Sequence, residues 1–237
     1  MPSFWLSISV WMAWKARTTI ISNTHSILQG CILMTSLVDV VNQWLSKKKP
    51  LSPEEIIIYK KQISAYIDNV IYKGDQNPFT KTPYMNFRES EGNNRSLDLD
   101  QLIKRNGGQL GDSYCVFGIQ DILRGAEKAF NIIFDLPKGG SVVSFYRSVK
   151  PEYKLYTPKP YSIGCYELDG SGLGHMVLSY GPINPKEHST FEFNTSPNAT
   201  EEIVRNGAGC YFKVRNIEGF GKMKLLGFVD IFEAVKK

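Results

Sequence analysis

The chain changes its hydrophobic rhythm once. As far as about residue 136 the apolar positions recur at helical spacing, and beyond Pro137-Lys138-Gly139-Gly140 they alternate. Ser36-Leu37-Val38-Asp39 opens a short amphipathic helix carrying Val40, Val41, Trp44 and Leu45, which Lys47-Lys48-Lys49 and Pro50 stop. Ser52-Pro53-Glu54-Glu55 is a capping box with proline at the first helical position. Ile56, Tyr59, Ile63, Tyr66, Ile67, Val70 and Ile71 continue it as a helix with one apolar stripe. Residues 73–95 are polar and rich in turn formers, which predicts a long loop or linker. A short helix is expected over Leu99 to Arg105, ended by Asn106-Gly107-Gly108. The stretch GDSYCVFGIQDIL, residues 111–123, predicts another, with Gly111, Asp112 and Ser113 as turn and N-cap residues. Val116, Phe117, Ile119, Ile122 and Leu123 form its apolar face, Cys115 lies in its first turn, and it runs to about Phe130.

Candidate strands then follow at 161–167, 174–180, 189–195, 209–215 and 223–232, separated by the turn-forming runs DGSG, GPINP, SPNAT and EGFG. Helices first and an antiparallel sheet of about five strands second make an α+β domain. The expected organisation is an N-terminal extension over 1–33, a helical segment with a polar linker over 34–95, and the main domain over 96–237. Within the extension, Phe4 to Trp14 is an apolar run of eleven residues, too short to span a bilayer, so no stable membrane insertion is expected. Its basic residues, Lys15 and Arg17, follow the run instead of preceding it as in a signal peptide, and Met34 reads equally well as the working start.

Hydrophobic residues at 42% and charged residues at 22% fit a folded domain and exclude a disordered chain. The net charge of +5 favours an anionic partner such as a cell-wall polymer. The basic residues are scattered and not interleaved with aromatics, so no nucleic-acid partner is expected. None of the four cysteines forms a CxxC pair, and with three histidines no zinc-ligand spacing occurs, so neither metal nor other cofactor is expected. Cys165 and Cys210 are candidates for a disulfide, which sequence alone does not establish.

The candidate chemistry centres on Cys115. A helix N-terminus offers a thiol free N–H groups and partial positive charge, which favour the thiolate, although a buried cysteine often only packs. A histidine usually completes the activation. His175 opens a strand after Gly174, while His188 lies in the polar run PKEHST and reads as a solvated loop residue, and His25 lies in the extension. In Thr190-Phe191-Glu192-Phe193-Asn194-Thr195 the two phenylalanines share the core face, and Glu192 and Asn194 share the other. That second face is either solvent, or, beside the His175 strand, a place from which Glu192 or Asn194 can orient the imidazole. Gln109, six residues before Cys115, can donate its amide to a developing oxyanion, or can simply be a surface residue.

A cysteine at a helix start, Gly174-His175 opening a strand and Glu192-Phe193-Asn194 on the next resemble the papain-like cell-wall hydrolases. They are most similar to the CHAP amidase/endopeptidase family and its NlpC-type relatives, over about residues 105–235. The chain departs from the family pattern at Phe193, commonly glycine, at Tyr114, often tryptophan, and after Gly164, where no aspartate follows. The resemblance implies a papain-like domain with catalytic Cys115 and His175, an orienting Asn194 or Glu192, and Gln109 in the oxyanion hole. It implies a thiol hydrolase cutting an amide bond of bacterial peptidoglycan, as an endopeptidase or N-acetylmuramoyl-L-alanine amidase. The setting it implies is a bacteriophage lysin, held in the host cytoplasm until lysis or carried on the virion, with secretion the other route to the wall. Two other readings are a non-catalytic wall-binding module on the same fold, and a papain-like protease or toxin amidase acting on another peptide.

Overall fold

Ser52 caps the first described helix, α1 (Pro53–Tyr72), as its context predicts: its hydroxyl accepts from the Glu55 N–H while the Glu55 carboxylate accepts from the Ser52 N–H. The structure is a computed structural model that describes residues 51–197 and 208–237. The extension over 1–33 and the helix expected from Ser36 lie outside those residues. Three further helices follow, α2 (Leu97–Arg105), α3 (Cys115–Phe130) and α4 (Val142–Ser148). Periodicity did not reveal α4. Its seven residues, VVSFYRS, are rich in strand formers, and it is held by the Ser141 hydroxyl capping Ser144 and by burial of Val142, Val143 and Phe145.

The main sheet has seven strands, not five. Its five long members match the alternating runs: β3 (Pro160–Leu168), β4 (Gly174–Asn184), β5 (Glu187–Thr195), β6 (Gly209–Asn216) and β8 (Met223–Val229). The additional two, β2 (Lys154–Leu155) and β7 (Gly219–Phe220), have two residues each, too few to show alternation. The order is β2-β8-β3-β4-β5-β6 with β7 paired to β8, and every pairing is antiparallel. A separate pair joins β1 (Ile133–Phe134) to β9 (Val235–Lys236). The fold class is α+β.

Register puts Cys165 opposite Met176 and Leu178 opposite Phe191, and these residues share one buried core with α1, α3 and α4. Tyr166, Val177 and Met223 form a second cluster, with Phe220 packed against it, away from that core. Both faces of the sheet are therefore covered near β3 and β4. The segment read as helix plus linker belongs to the same core: α1 contributes Ile63, Ile67 and Ile71, and Tyr84 and Phe87 are buried beside them. Pro50–Lys237 forms one compact unit. Two glycines of α3 let neighbours approach its backbone. Gly118 lies under the Phe193 ring, and Gly125 takes the Tyr66 hydroxyl of α1.

Candidate active site

The loop before α3 sets Cys115 at the helix start without the expected cap. Asp112 turns back to accept from the Gln109 N–H at 2.7 Å, and the N-cap position falls to Tyr114, whose side chain does not cap the helix. Tyr114 is instead buried, with its hydroxyl donating to Glu89 at 3.3 Å. The first turn of α3 thus receives no hydrogen bond from an N-cap side chain, and its N–H groups lie next to the thiol. The sulfur lies close enough to the His175 imidazole, and to the backbone of Met176 and Val116, for all three to favour the thiolate.

Strands β4 and β5 are adjacent, joined through Pro185-Lys186, as the hairpin reading required. Val177 pairs with Glu192, so His175 lies diagonally across from that carboxylate on the same face. His175 Nε2 meets Glu192 Oε2 at 3.1 Å. Nδ1 is the ring nitrogen left for the thiol. Glu192 is fully buried, and its other contacts are short: Arg215 Nε donates to Oε1 and Arg215 Nη2 to Oε2, each at 2.7 Å, and the Thr190 hydroxyl donates to Oε1 at 2.7 Å. The Phe220 ring packs edge-on to His175, with centroids 6.2 Å apart, and lies 4.1 Å from the Arg215 guanidinium carbon.

The electrostatics follow from these contacts. Burial favours a neutral Cys115, but the hydrogen bond and charge of His175, with the two backbone N–H groups, outweigh it and lower the thiol pKa. Burial likewise disfavours the imidazolium, yet hydrogen bonds to Cys115 and Glu192 raise the His175 pKa to about 9. Burial alone would raise Glu192, and Arg215 followed by His175 instead hold it far below the usual carboxylate range. Both directions at the Cys115–His175 contact favour a thiolate–imidazolium pair over a neutral one.

The other expected site residues lie differently. Asn194 is buried near the end of β5, where the register shifts between Glu192 and Thr195, and its φ of 56° is left-handed. Its backbone N–H is directed to the Cys210 thiol. Gln109 is exposed in the loop ahead of α3. Cys165 and Cys210 are both free and buried, on strands β3 and β6 that are separated by β4 and β5, so the disulfide candidate is not formed. Among the described residues, no group of three or more His, Cys, Asp or Glu could hold a metal ion. No described helix is long and apolar enough to cross a membrane.

Sequence reasoning missed the residues behind Glu192. Arg215 sits at the far end of a strand, and only the β5–β6 register, which pairs it with His188, brings it inward. His188 is not a solvated loop residue. It is fully buried in β5, with Nε2 2.8 Å from the Tyr166 hydroxyl and Nδ1 2.9 Å from Ser179 Oγ. Burial lowers its pKa to about 4. The polar run PKEHST concealed this because β5 starts at Glu187, two residues earlier than alternation placed it. No protein-family model matches the chain, and no curated protein and no solved structure matches it either.

Proposed function

We propose that this protein is a papain-like thiol hydrolase that cleaves an amide bond of bacterial peptidoglycan, with Cys115 as nucleophile and His175 as acid–base. One observation carries the reading: the Cys115 thiol, at a helix start with no N-cap side chain, lies beside a histidine whose Nε2 is held by a buried carboxylate. That is the arrangement nucleophile, base and orienter require. The peptidoglycan substrate rests on the resemblance of Cys115, Gly174-His175 and Glu192-Phe193-Asn194 to the CHAP and NlpC-type families, and on the net charge of +5, which suits an anionic wall.

In this mechanism the Cys115 thiolate attacks the carbonyl carbon, and the carbonyl oxygen becomes an oxyanion beside the N–H groups of the first turn of α3. Gln109 is the second donor that the resemblance supplies, and its exposed loop would have to bring the amide over the thiol. The imidazolium gives its proton to the leaving amine as the C–N bond breaks. Neutral His175 then takes a proton from water, which attacks the thioester and frees the acid. Glu192 keeps the ring in one orientation throughout.

A non-catalytic wall-binding module on the same fold is the second reading. What favours it is closure: Cys115 is 4% exposed and His175 8%. Two measurements separate them. Purified cell walls incubated with the protein are expected to lose turbidity and release fragments whose new termini identify the bond by mass spectrometry, and Cys115→Ser is expected to abolish this. Iodoacetamide at pH 6 is expected to alkylate Cys115 in the native protein. Walls left intact while the protein sediments with them would establish the binding module.

A further inference from the structure

We infer that Arg215 is a positioning residue that acts through Glu192 to keep the Cys115–His175 pair ionised, by completing a chain of four alternating charges in a buried site. The inference rests on Cys115 being a nucleophile, and it adds a residue that neither the motif nor the resemblance contains.

The argument is geometric first. Arg215 is 5% exposed and meets both oxygens of Glu192 through two nitrogens at 2.7 Å each, the forked contact that an arginine makes and a lysine does not. The Phe220 ring lies 4.1 Å from the guanidinium carbon, and Arg215 Nη2 also reaches Thr195 Oγ1 at 3.4 Å, so the fork is fixed on several sides. Thr190 fixes the same carboxylate from its own strand at 2.7 Å. Glu192 can therefore turn only one oxygen lobe to His175.

Charge counting gives the consequence. Arg215, Glu192, His175 and Cys115 run plus, minus, plus, minus, and when the thiol ionises their charges sum to zero. Without Arg215 the same state leaves one net negative charge in a buried site, which is costly where water is scarce. The carboxylate then competes with the thiolate for the single imidazolium. The remaining ionisable groups around the chain cannot take over this role. Burial keeps Tyr166 on β3 a neutral phenol and Cys165 on β3 a neutral thiol, and holds His188 on β5 neutral at pH 7. Lys213 on β6 gives its ammonium to the Pro197 carbonyl at 2.7 Å.

The test reads the thiolate directly, without turnover. The iodoacetamide rate at Cys115 is measured from pH 4 to 10 for the unsubstituted protein, Arg215→Met, Arg215→Gln and Arg215→Lys, each checked for native fold by near-UV circular dichroism. The neutral variants are expected to react about tenfold or more slowly at pH 6, because a rise of one unit in thiol pKa lowers the thiolate fraction about tenfold there. Arg215→Lys, which keeps the charge but loses the fork, is expected to react at a rate between the neutral variants and the unsubstituted protein. Arg215→Gln retains an N–H for Glu192 and serves if Arg215→Met does not fold. The decisive comparison repeats Arg215→Gln on a Glu192→Gln background, where the effect is expected to fall below about threefold because its carrier is gone. An unshifted profile in a folded neutral variant overturns the inference, and so does a full effect in the absence of Glu192. Intact cell walls with every variant, together with the shifted alkylation profile, would overturn the hydrolase reading and leave this one standing.

Discussion

At the scale of single residues, Glu192 and Asn194 differ in what they can give His175. A carboxylate supplies charge as well as a hydrogen bond, and Glu192 Oε2 lies 3.1 Å from Nε2, so in the proposed mechanism Glu192 is the orienting group. Asn194 holds a left-handed backbone, φ 56°, where the strand breaks register, a conformation asparagine and glycine tolerate better than other residues. The two substitutions should therefore act on different observables. Glu192→Gln is expected to cut wall hydrolysis by roughly 10²-fold or more, since an amide in place of a triad carboxylate loses both tautomer and charge. Asn194→Ala is expected to lower stability by about 1 kcal/mol in denaturant unfolding with much less effect on rate, and Asn194→Gly to recover that loss. A rate collapse in Asn194→Ala at unchanged stability would return the orienting role to Asn194. The pH profile follows from the same residues. With His175 raised to about 9, the imidazolium that protonates the leaving amine disappears above that pH, so the rate is expected to fall on an alkaline limb near pH 9. Glu192→Gln removes the charge that raises it, and should move that limb to lower pH.

Among the elements, the contact between α3 and β5 decides whether Cys115 and His175 meet. Gly118, one turn below Cys115, has no side chain because the Phe193 ring occupies that space. Here the small residue is on the helix and the large one, Phe193, on the strand. Gly118→Ala would push the methyl into the ring and move the helix or the strand. It is expected to cost about 1–3 kcal/mol, a loss of roughly 5 °C in melting temperature, and to slow hydrolysis more than its stability loss explains. Phe193→Leu combined with Gly118→Ala should recover part of both, and equal rates in the single variant would show that the contact does not position the thiol. What the sequence disclosed follows the same division. Long periodic elements were legible: α1 with its capping box, α3 with Cys115 at its start, and the five long strands. The seven-residue α4 and the two-residue β2 and β7 were not, because such lengths carry no period. Cys115, His175 and Glu192 were legible from type and spacing. Arg215 and His188 were hidden because their burial depends on which strands pair and in what register, and a single chain does not display that. The N-cap expected among Gly111, Asp112 and Ser113 falls instead at Tyr114, because Asp112 closes its own loop onto Gln109.

For the whole molecule, the sheet carries two interiors of different kinds. The helix side is apolar, with Ile163, Cys165, Met176, Leu178 and Phe191 against α3 and α4. The other side carries a polar layer of Glu192, Thr190, Arg215, His188, Tyr166 and Ser179, closed by Phe220, in which each side chain has a partner. Such a layer stabilises the fold only while its members keep the right protonation state, so it couples the site to stability. His188 is the member most exposed to this coupling. In the folded protein it takes a proton only near pH 4, whereas in the unfolded chain it does so near its ordinary value. Between those two pH values the unfolded state binds the extra proton, so stability declines as pH falls, by on the order of 3 kcal/mol across the whole window for this residue. Glu192 adds to the loss only at the acid end of that window, because the unfolded chain takes up its proton near the ordinary carboxylate value while the folded pKa lies far lower, so most of its contribution is lost at still lower pH. The melting temperature is therefore expected to drop markedly from pH 7 to pH 4. His188→Gln, which keeps hydrogen-bonding capacity toward Tyr166 and Ser179 but does not titrate, should flatten that dependence even if it lowers stability at pH 7. Parallel acid slopes for the two proteins would remove His188 as the cause and place the sensitivity among the carboxylates.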